Sequence, residues 1–253
     1  MHFPVVFHVG AVAIPAHFVF ESLGYLVGFR IYLALRARSH DDIPDETRWW
    51  VIAAAAIGAV LGSRLLVWIQ HPALFWAHRA DPAWLLGGKT IVGGLLGGLI
   101  AVETAKRMLG ERRSTGDLFV IPLCAGMAIG RIGCFLAGLD DHTYGNATTL
   151  PWGVDFGDGV RRHPAQLYEI VALAGIAAWA WQAQKRITSG ELHRGDAFRG
   201  FLSLYLLFRF ALDWIKPEPR PYAGLSGIQV AAIAGLLYHA RDLPRLVLGN
   251  RRR

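Results

Sequence analysis

The chain has 253 residues, 53% of them hydrophobic and only 18% charged, with a formal net charge of +7 and a mean hydropathy of +0.34. A soluble globular domain carries about 25% charged residues, so this composition points into a membrane and excludes an ordinary soluble domain. No basic patch is interleaved with aromatic residues, which argues against a nucleic-acid partner.

Spanning a hydrocarbon core takes about 20 mostly apolar residues. Seven stretches qualify, at approximately 10–35, 49–70, 87–106, 117–138, 164–184, 198–216 and 224–240. The first lacks a short apolar core followed by a small-residue cleavage site, so it reads as a retained helix rather than a signal peptide. The expected fold is therefore an all-α polytopic membrane protein, a bundle of about seven transmembrane helices in one domain over 1–253. Basic residues set the orientation. Sixteen flank one side, among them Arg36, Arg38, Lys106, Arg107, Lys185, Arg186, Arg241 and Arg251 to Arg253, against six on the other. The positive-inside rule puts the C-terminus in the cytoplasm and, with seven spans, the N-terminus outside. Loops 71–86 and 139–163 then face outward. Cys124 and Cys134 stand ten apart on one predicted helix, about 15 Å at 1.5 Å per residue, so they cannot pair with each other. No zinc-ligand spacing is present, and no metal or cofactor is expected.

Four of the 26 basic residues, Arg30, Arg64, Arg131 and Arg209, fall inside predicted spans. Arg30 is about a turn from the cytoplasmic end and can snorkel. An arginine at depth costs several kcal/mol unless it faces the bundle interior or a water-filled cavity, so Arg131 and Arg209 are candidate site residues. Guanidinium groups suit phosphate because their planar donors engage two oxygens at once. The bland alternative is an ion pair with Asp213, Glu169 or Glu21. In "LYLLFRFALDW", Tyr205, Arg209 and Asp213 recur every four residues and share a helical face. They can hold an anion and orient a proton transfer, or form an internal salt bridge beside an interfacial aromatic. The glycines of "GGKTIVGGLLGG" form small-xxx-small pairs, Gly93 with Gly97 and Gly94 with Gly98, which serve close helix packing or make room for lipid. "RRHPAQLYEI" opens the fifth span, with Pro164 suited to its first turn. There Gln166 and Glu169 can face one neighbour, and His163 is a general base or a capping histidine. Glu21, with His17 one turn earlier, is either the partner of an arginine or a proton acceptor.

These residues are similar to those of the prolipoprotein diacylglyceryl transferase family, over nearly the whole chain: "YLVGF", "GSRL", "GGKTIVGGLLGG", "GRIGCF", "LPWGVDF", "RHPAQLYE", "YLLFRFALDW" and "GIQ". The resemblance implies a seven-helix bacterial inner-membrane enzyme. It would move the diacylglyceryl group of phosphatidylglycerol onto the lipobox cysteine thiol of a preprolipoprotein, releasing glycerol phosphate and working as a monomer. It implies that Arg131 engages the lipid headgroup, that Arg209 is a second essential arginine, and that Tyr205 acts one turn before it. Arg64, Gly130, Gly133, His163, Gln166, Tyr168 and Glu169 also fall on family motif positions. Four departures stand out. Val92 occupies the position of a family histidine, Cys134 that of an asparagine, Glu21 that of a tyrosine, and "AGLDD" replaces "Asn-Gly-Glu". Substrate contacts are therefore expected at Arg131, Arg209, Arg64, Cys134, Gln166 and Glu169, and chemistry at Arg131, Arg209, Tyr205, Glu21 and His163. The departures leave two alternatives: a divergent paralogue using another acceptor, or a phospholipid-binding membrane protein without catalysis.

Overall fold

The computed structural model describes residues 2–39 and 42–248. Arg251, Arg252 and Arg253 of the charge tally lie outside them. Ten α-helices run in chain order: α1 Ala16–Arg38, α2 Asp45–Gln70, α3 Pro72–His78, α4 Pro82–Leu86, α5 Ile91–Met108, α6 Val120–Ala137, α7 Ala165–Thr188, α8 Asp196–Leu212, α9 Gly227–His239 and α10 Leu243–Leu248. Each of the seven predicted spans overlaps one of the longer helices. Among the described residues, three stretches have the length and apolarity to cross a membrane: Ala16–Arg38, Asp45–Gln70 and Asp117–Asp141, the last being α6 with a 3-10 turn at each end.

The structure refines several expectations. The first span starts at Ala16 rather than near residue 10, because β1 (Val6–Val9) and β2 (Val12–Pro15) form an antiparallel hairpin. Valine-rich strands joined by a two-residue Gly10–Ala11 turn favour that conformation. Gly10 supplies the positive φ, at 60°. A second hairpin pairs β3 (Val154–Asp155) with β4 (Arg161–Arg162). The predicted loop 71–86 holds α3 and α4, each begun by a proline, with the Asp81 side chain capping α4. Pro164 is the residue before α7 rather than part of its first turn.

The chain divides into two compact units. In the first (Met1–His40, Gly116–Gly190 and Trp214–Pro217), α6 packs against α1 and α7. A Cβ added at Gly28 would meet the Pro122 carbonyl oxygen at 3.1 Å. Absent side chains thus set the α1–α6 distance. Tyr32 closes that seam by stacking on Phe119, with centroids 4.6 Å apart.

In the second unit (Asp41–Thr115, Glu191–Asp213 and Glu218–Arg253), α2 packs on α5 and α8 on α9. A Cβ on Gly62 would sit 2.7 Å from the Gly97 Cα, so the glycine pairs serve close backbone packing. Outward positions of α2 carry Trp49, Trp50, Ile57, Val60 and Leu61, all exposed, while Arg48, Ser63 and Gln70 are buried. With Val51 and Leu66 the buried face is mixed, and it is the apolar outer face that departs from the soluble pattern.

Candidate functional site

In the first unit, the "GRIGCF" motif lies on the last two turns of α6, and the face it presents to α7 carries the charge. The Arg131 Nε is 2.9 Å from Glu169 Oε2, with the two side chains 10% and 2% exposed. The Nε–Oε2 approach itself is a charge contact without hydrogen-bond alignment. The Arg131 Nη1 reaches Cys134 Sγ at 3.5 Å, one turn along the helix. A guanidinium has five N–H donors, so one engaged through Nε can still present others to an anion.

A polar chain continues from α7 into the loop before it. Gln166 and Glu169, both buried, take different partners: Gln166 Nε2 donates to Thr143 Oγ1 at 3.0 Å, and Thr143 Oγ1 donates to Asp141 Oδ2 at 2.6 Å. Asp141 is brought there because the chain leaves α6 through Gly138, whose φ of 65° turns it into a 3-10 segment ending at Asp141. A Cβ at Gly138 would meet Phe3 Cβ at 2.8 Å, so glycine answers both needs. From the start of α1, His17 faces the same place. Its Nδ1 is 3.2 Å from Asp141 Oδ1, and its Nε2 is 3.4 Å from Glu21 Oε2. Glu21 also accepts from the Tyr25 hydroxyl, at 3.5 Å.

His163 belongs to a separate relay. Trp152 Nε1 donates to the Tyr168 hydroxyl at 2.7 Å, and that hydroxyl is 3.1 Å from His163 Nδ1. An indole N–H can only donate, so the phenol oxygen accepts from Trp152, and a second hydrogen bond joins it to His163 Nδ1. Further along the loop, Arg162 pairs with Asp158 at 2.7 Å and covers the Tyr144 ring at 5.2 Å. Its hydrogen bonds pull the Asp158 carboxyl down to about 2.

In the second unit, Tyr205, Arg209 and Asp213 share a face as the four-residue spacing predicts, all buried. Arg209 Nη2 lies 3.7 Å from Asp213 Oδ1, a charge contact beyond hydrogen-bond reach. The Tyr205 ring stacks on Phe201, with centroids 6.2 Å apart. Asp213 Oδ2 accepts a short hydrogen bond from Ser226 Oγ. Ser226 in turn starts α9 with a capping box, its side chain bonded to Gln229 N and its own N–H to Gln229 Oε1. The "GIQ" motif therefore reads physically as a helix start tied to Asp213. Arg64 is held by carbonyl oxygens, Leu86 O at 3.2 Å and Val60 O at 3.3 Å. Val92 is 1% exposed.

Sequence reasoning overlooked Asp141, Thr143, Gln70 and Ser226. Gln70 ends α2, and its Oε1 accepts the Ile228 N–H at 2.9 Å while its Nε2 donates to Glu218. The only signal for it was an amide closing a long apolar helix. Asp141 and Thr143 lay in a stretch that departs from the family pattern, so spacing gave no lead.

Charge built into the buried faces of helices whose outer faces are apolar defines a helical membrane protein. The chain belongs to the prolipoprotein diacylglyceryl transferase family, whose model matches residues 4–241. A phosphatidylglycerol–prolipoprotein diacylglyceryl transferase of Geobacter sulfurreducens is 31% identical over 242 residues, covering 88% of this chain and 85% of that protein. One from Nitratidesulfovibrio vulgaris is 36% identical over 228 residues, covering 83% and 80% respectively. One from Coxiella burnetii is 33% identical over 269 aligned residues, covering 98% and 92%.

Proposed function

We propose that this protein transfers the diacylglyceryl group of phosphatidylglycerol to a prolipoprotein, as the names of its relatives describe, and that the acceptor is the lipobox cysteine thiol of the signal peptide. The observation that carries the proposal is the buried Arg131–Glu169 pair on the "GRIG" helix. It fixes a permanently charged, planar anion donor inside an apolar element, where it answers to a lipid phosphate. Arg131 grips the phosphate, with Glu169 and Gln166 positioning it and its neighbouring loop. Cys134 lies beside the substrate in the same unit. In the second unit, Arg209, paired with Asp213 and sharing a face with Tyr205, and Arg64 are further anion-binding arginines of the reaction.

The acceptor sulfur attacks the glyceryl carbon that bears the phosphate. A C–S bond forms, the C–O bond breaks, and the phosphate oxygen leaves with the electron pair as glycerol phosphate. A free thiol has a pKa near 8.5, so its proton needs an acceptor. Val92 cannot be one, and His163 Nδ1 is engaged by the Tyr168 hydroxyl. The role goes to Glu21, with His17 orienting it and His163 holding the loop.

The same reading places all seven predicted spans of 1–253 in a bacterial inner membrane. The N-terminus and the loops 71–86 and 139–163 then lie outside, the C-terminus lies in the cytoplasm, and the monomer is the working form. The test is to incubate purified protein with phosphatidylglycerol and a lipobox peptide and to seek the diacylglyceryl thioether by mass spectrometry. Product that vanishes with Arg131→Ala is expected. Lipid breakdown without peptide modification, or lipid binding alone, overturns the proposal.

A further inference from the structure

The cluster where α1, α6 and the turn after α6 meet contains a donor set that the transferase reading leaves largely unused. His17 Nδ1, Cys134 Sγ and an Asp141 carboxylate oxygen all lie within 4.8 Å of one another. Imidazole, thiolate and carboxylate are the three ligand types that zinc takes, at about 2.0–2.3 Å each. Two donors at such distances on a tetrahedral centre stand about 3.3 Å apart, and the observed His17 Nδ1–Asp141 Oδ1 separation is 3.2 Å.

The surroundings also fit. His17 Nδ1 is shut off from solvent and makes no aligned hydrogen bond, which leaves it available to a metal. Its other nitrogen faces Glu21 Oε2 at 3.4 Å, the carboxylate–histidine pairing that fixes the tautomer of a metal-bound imidazole. Asp141 is held in place by Thr143, and Thr143 by Gln166. Arg131 Nη1 lies 3.5 Å from the sulfur. The positive charge of Arg131 is itself met by Glu169. His17 and Asp141 also line a cavity of about 360 Å³, which provides an entrance.

We propose that His17, Cys134 and Asp141 form a zinc site with one tetrahedral position open. Binding displaces the Cys134 thiol proton to solvent and leaves Glu21 accepting the His17 Nε2–H. Spacing along the chain hides such a site, because its ligands come from positions 17, 134 and 141. The open position suits a further thiol, held near Glu21; that use rests on the transferase reading, whereas the metal site does not.

The test uses the purified full chain in detergent, stripped with chelator and titrated with Co²⁺ as the spectroscopic stand-in, then with Zn²⁺ in competition. A thiolate-to-cobalt charge-transfer band in the near ultraviolet, saturating at one equivalent and displaced by Zn²⁺, is expected. Cys134→Ser should abolish the band and Asp141→Asn should weaken binding, while Cys124→Ser leaves both intact. Glu21→Gln should lower affinity by about tenfold, as removal of an outer-shell partner does. Absence of the band in the wild-type chain, or its survival in Cys134→Ser, overturns the site. A lipobox peptide added to the cobalt form should intensify the band; no change overturns the role of the open position alone. Intact metal binding without lipid transfer counts against the transferase reading and not against the metal.

Discussion

Replacing Glu169 by glutamine keeps the size of the side chain and removes its charge from a site where both partners are nearly shut off from water. At the observed 2.9 Å and an effective dielectric of 20, the lost Coulomb attraction is about 6 kcal/mol. Part of that attraction only offsets the cost of burying two ions, so the net loss expected on breaking such a pair is about 3–5 kcal/mol. Arg131→Gln should cost a similar amount. The double substitution exchanges a buried ion pair for a neutral amide pair of similar shape, so it should be far less damaging than the sum of the two. Unfolding free energies measured by denaturant titration in mixed micelles, arranged as a double-mutant cycle, give the coupling directly. A coupling below about 0.5 kcal/mol would show that the two charges do not depend on each other, and the account of Arg131 as an arginine held ready by Glu169 would fail.

The glycines of α5 should separate by what lies opposite them. Gly97→Ala would put its Cβ 2.8 Å from the Gly62 Cα and should cost about 1–3 kcal/mol by overpacking, whereas Gly94→Ala, with the nearest atom at 3.6 Å, should be neutral or gain up to about 1 kcal/mol of helix propensity; thermal melts compare the two. Ser226→Ala removes a capping-box hydroxyl and a donor to buried Asp213, and should cost about 2–3 kcal/mol in the same unfolding assay. Burial pushes the Asp196 carboxyl up, but hydrogen bonds from Arg245, the His193 N–H and Arg199 outweigh it and hold the group below the usual carboxylate range. Because the folded pKa is depressed, this stabilisation is complete above the unfolded value near 4 and is lost as pH falls through the folded value, so Asp196→Asn should flatten the acid limb of a stability-versus-pH curve.

The helices were legible because their signal is long and repetitive. About 20 apolar residues bounded by charge read the same way in any tertiary context, and α1, α2, α5, α6, α7, α8 and α9 each overlap a predicted span. The four-residue recurrence of Tyr205, Arg209 and Asp213 was equally readable, since a helix has only one way to place such residues. What stayed hidden depends on contacts between distant segments or on short turns. The hairpin of β1 and β2 merged with the first apolar run, because valines suit both a strand and a membrane span. Glu169 was one of three carboxylates open to Arg131, and only the packing of α6 on α7 decides between them. Asp141 reaches His17 through the single left-handed residue Gly138, a device without any periodic trace.

The same distinction bears on how the acceptor thiol loses its proton. Val92 removes the family's histidine from the helix where it is expected, and the buried valine has no group that can accept a proton. Glu21 enters α1 instead, 29% exposed on its side chain and facing His17. If Glu21 is the proton acceptor, Glu21→Gln should lower kcat by about 10²–10⁴ while leaving the KM for phosphatidylglycerol near its wild-type value, since the headgroup contacts lie with the arginines. The residual rate should rise with pH as hydroxide deprotonates the thiol directly. A structural partner of His17 would behave differently: stability would fall, and the rate per folded molecule would not. Transfer by Glu21→Gln within about threefold of wild type, with an unchanged pH profile, would remove Glu21 from the chemistry. The burden would then fall on the positive charge of Arg131 and on the metal site beside it, which together could favour the thiolate without any base.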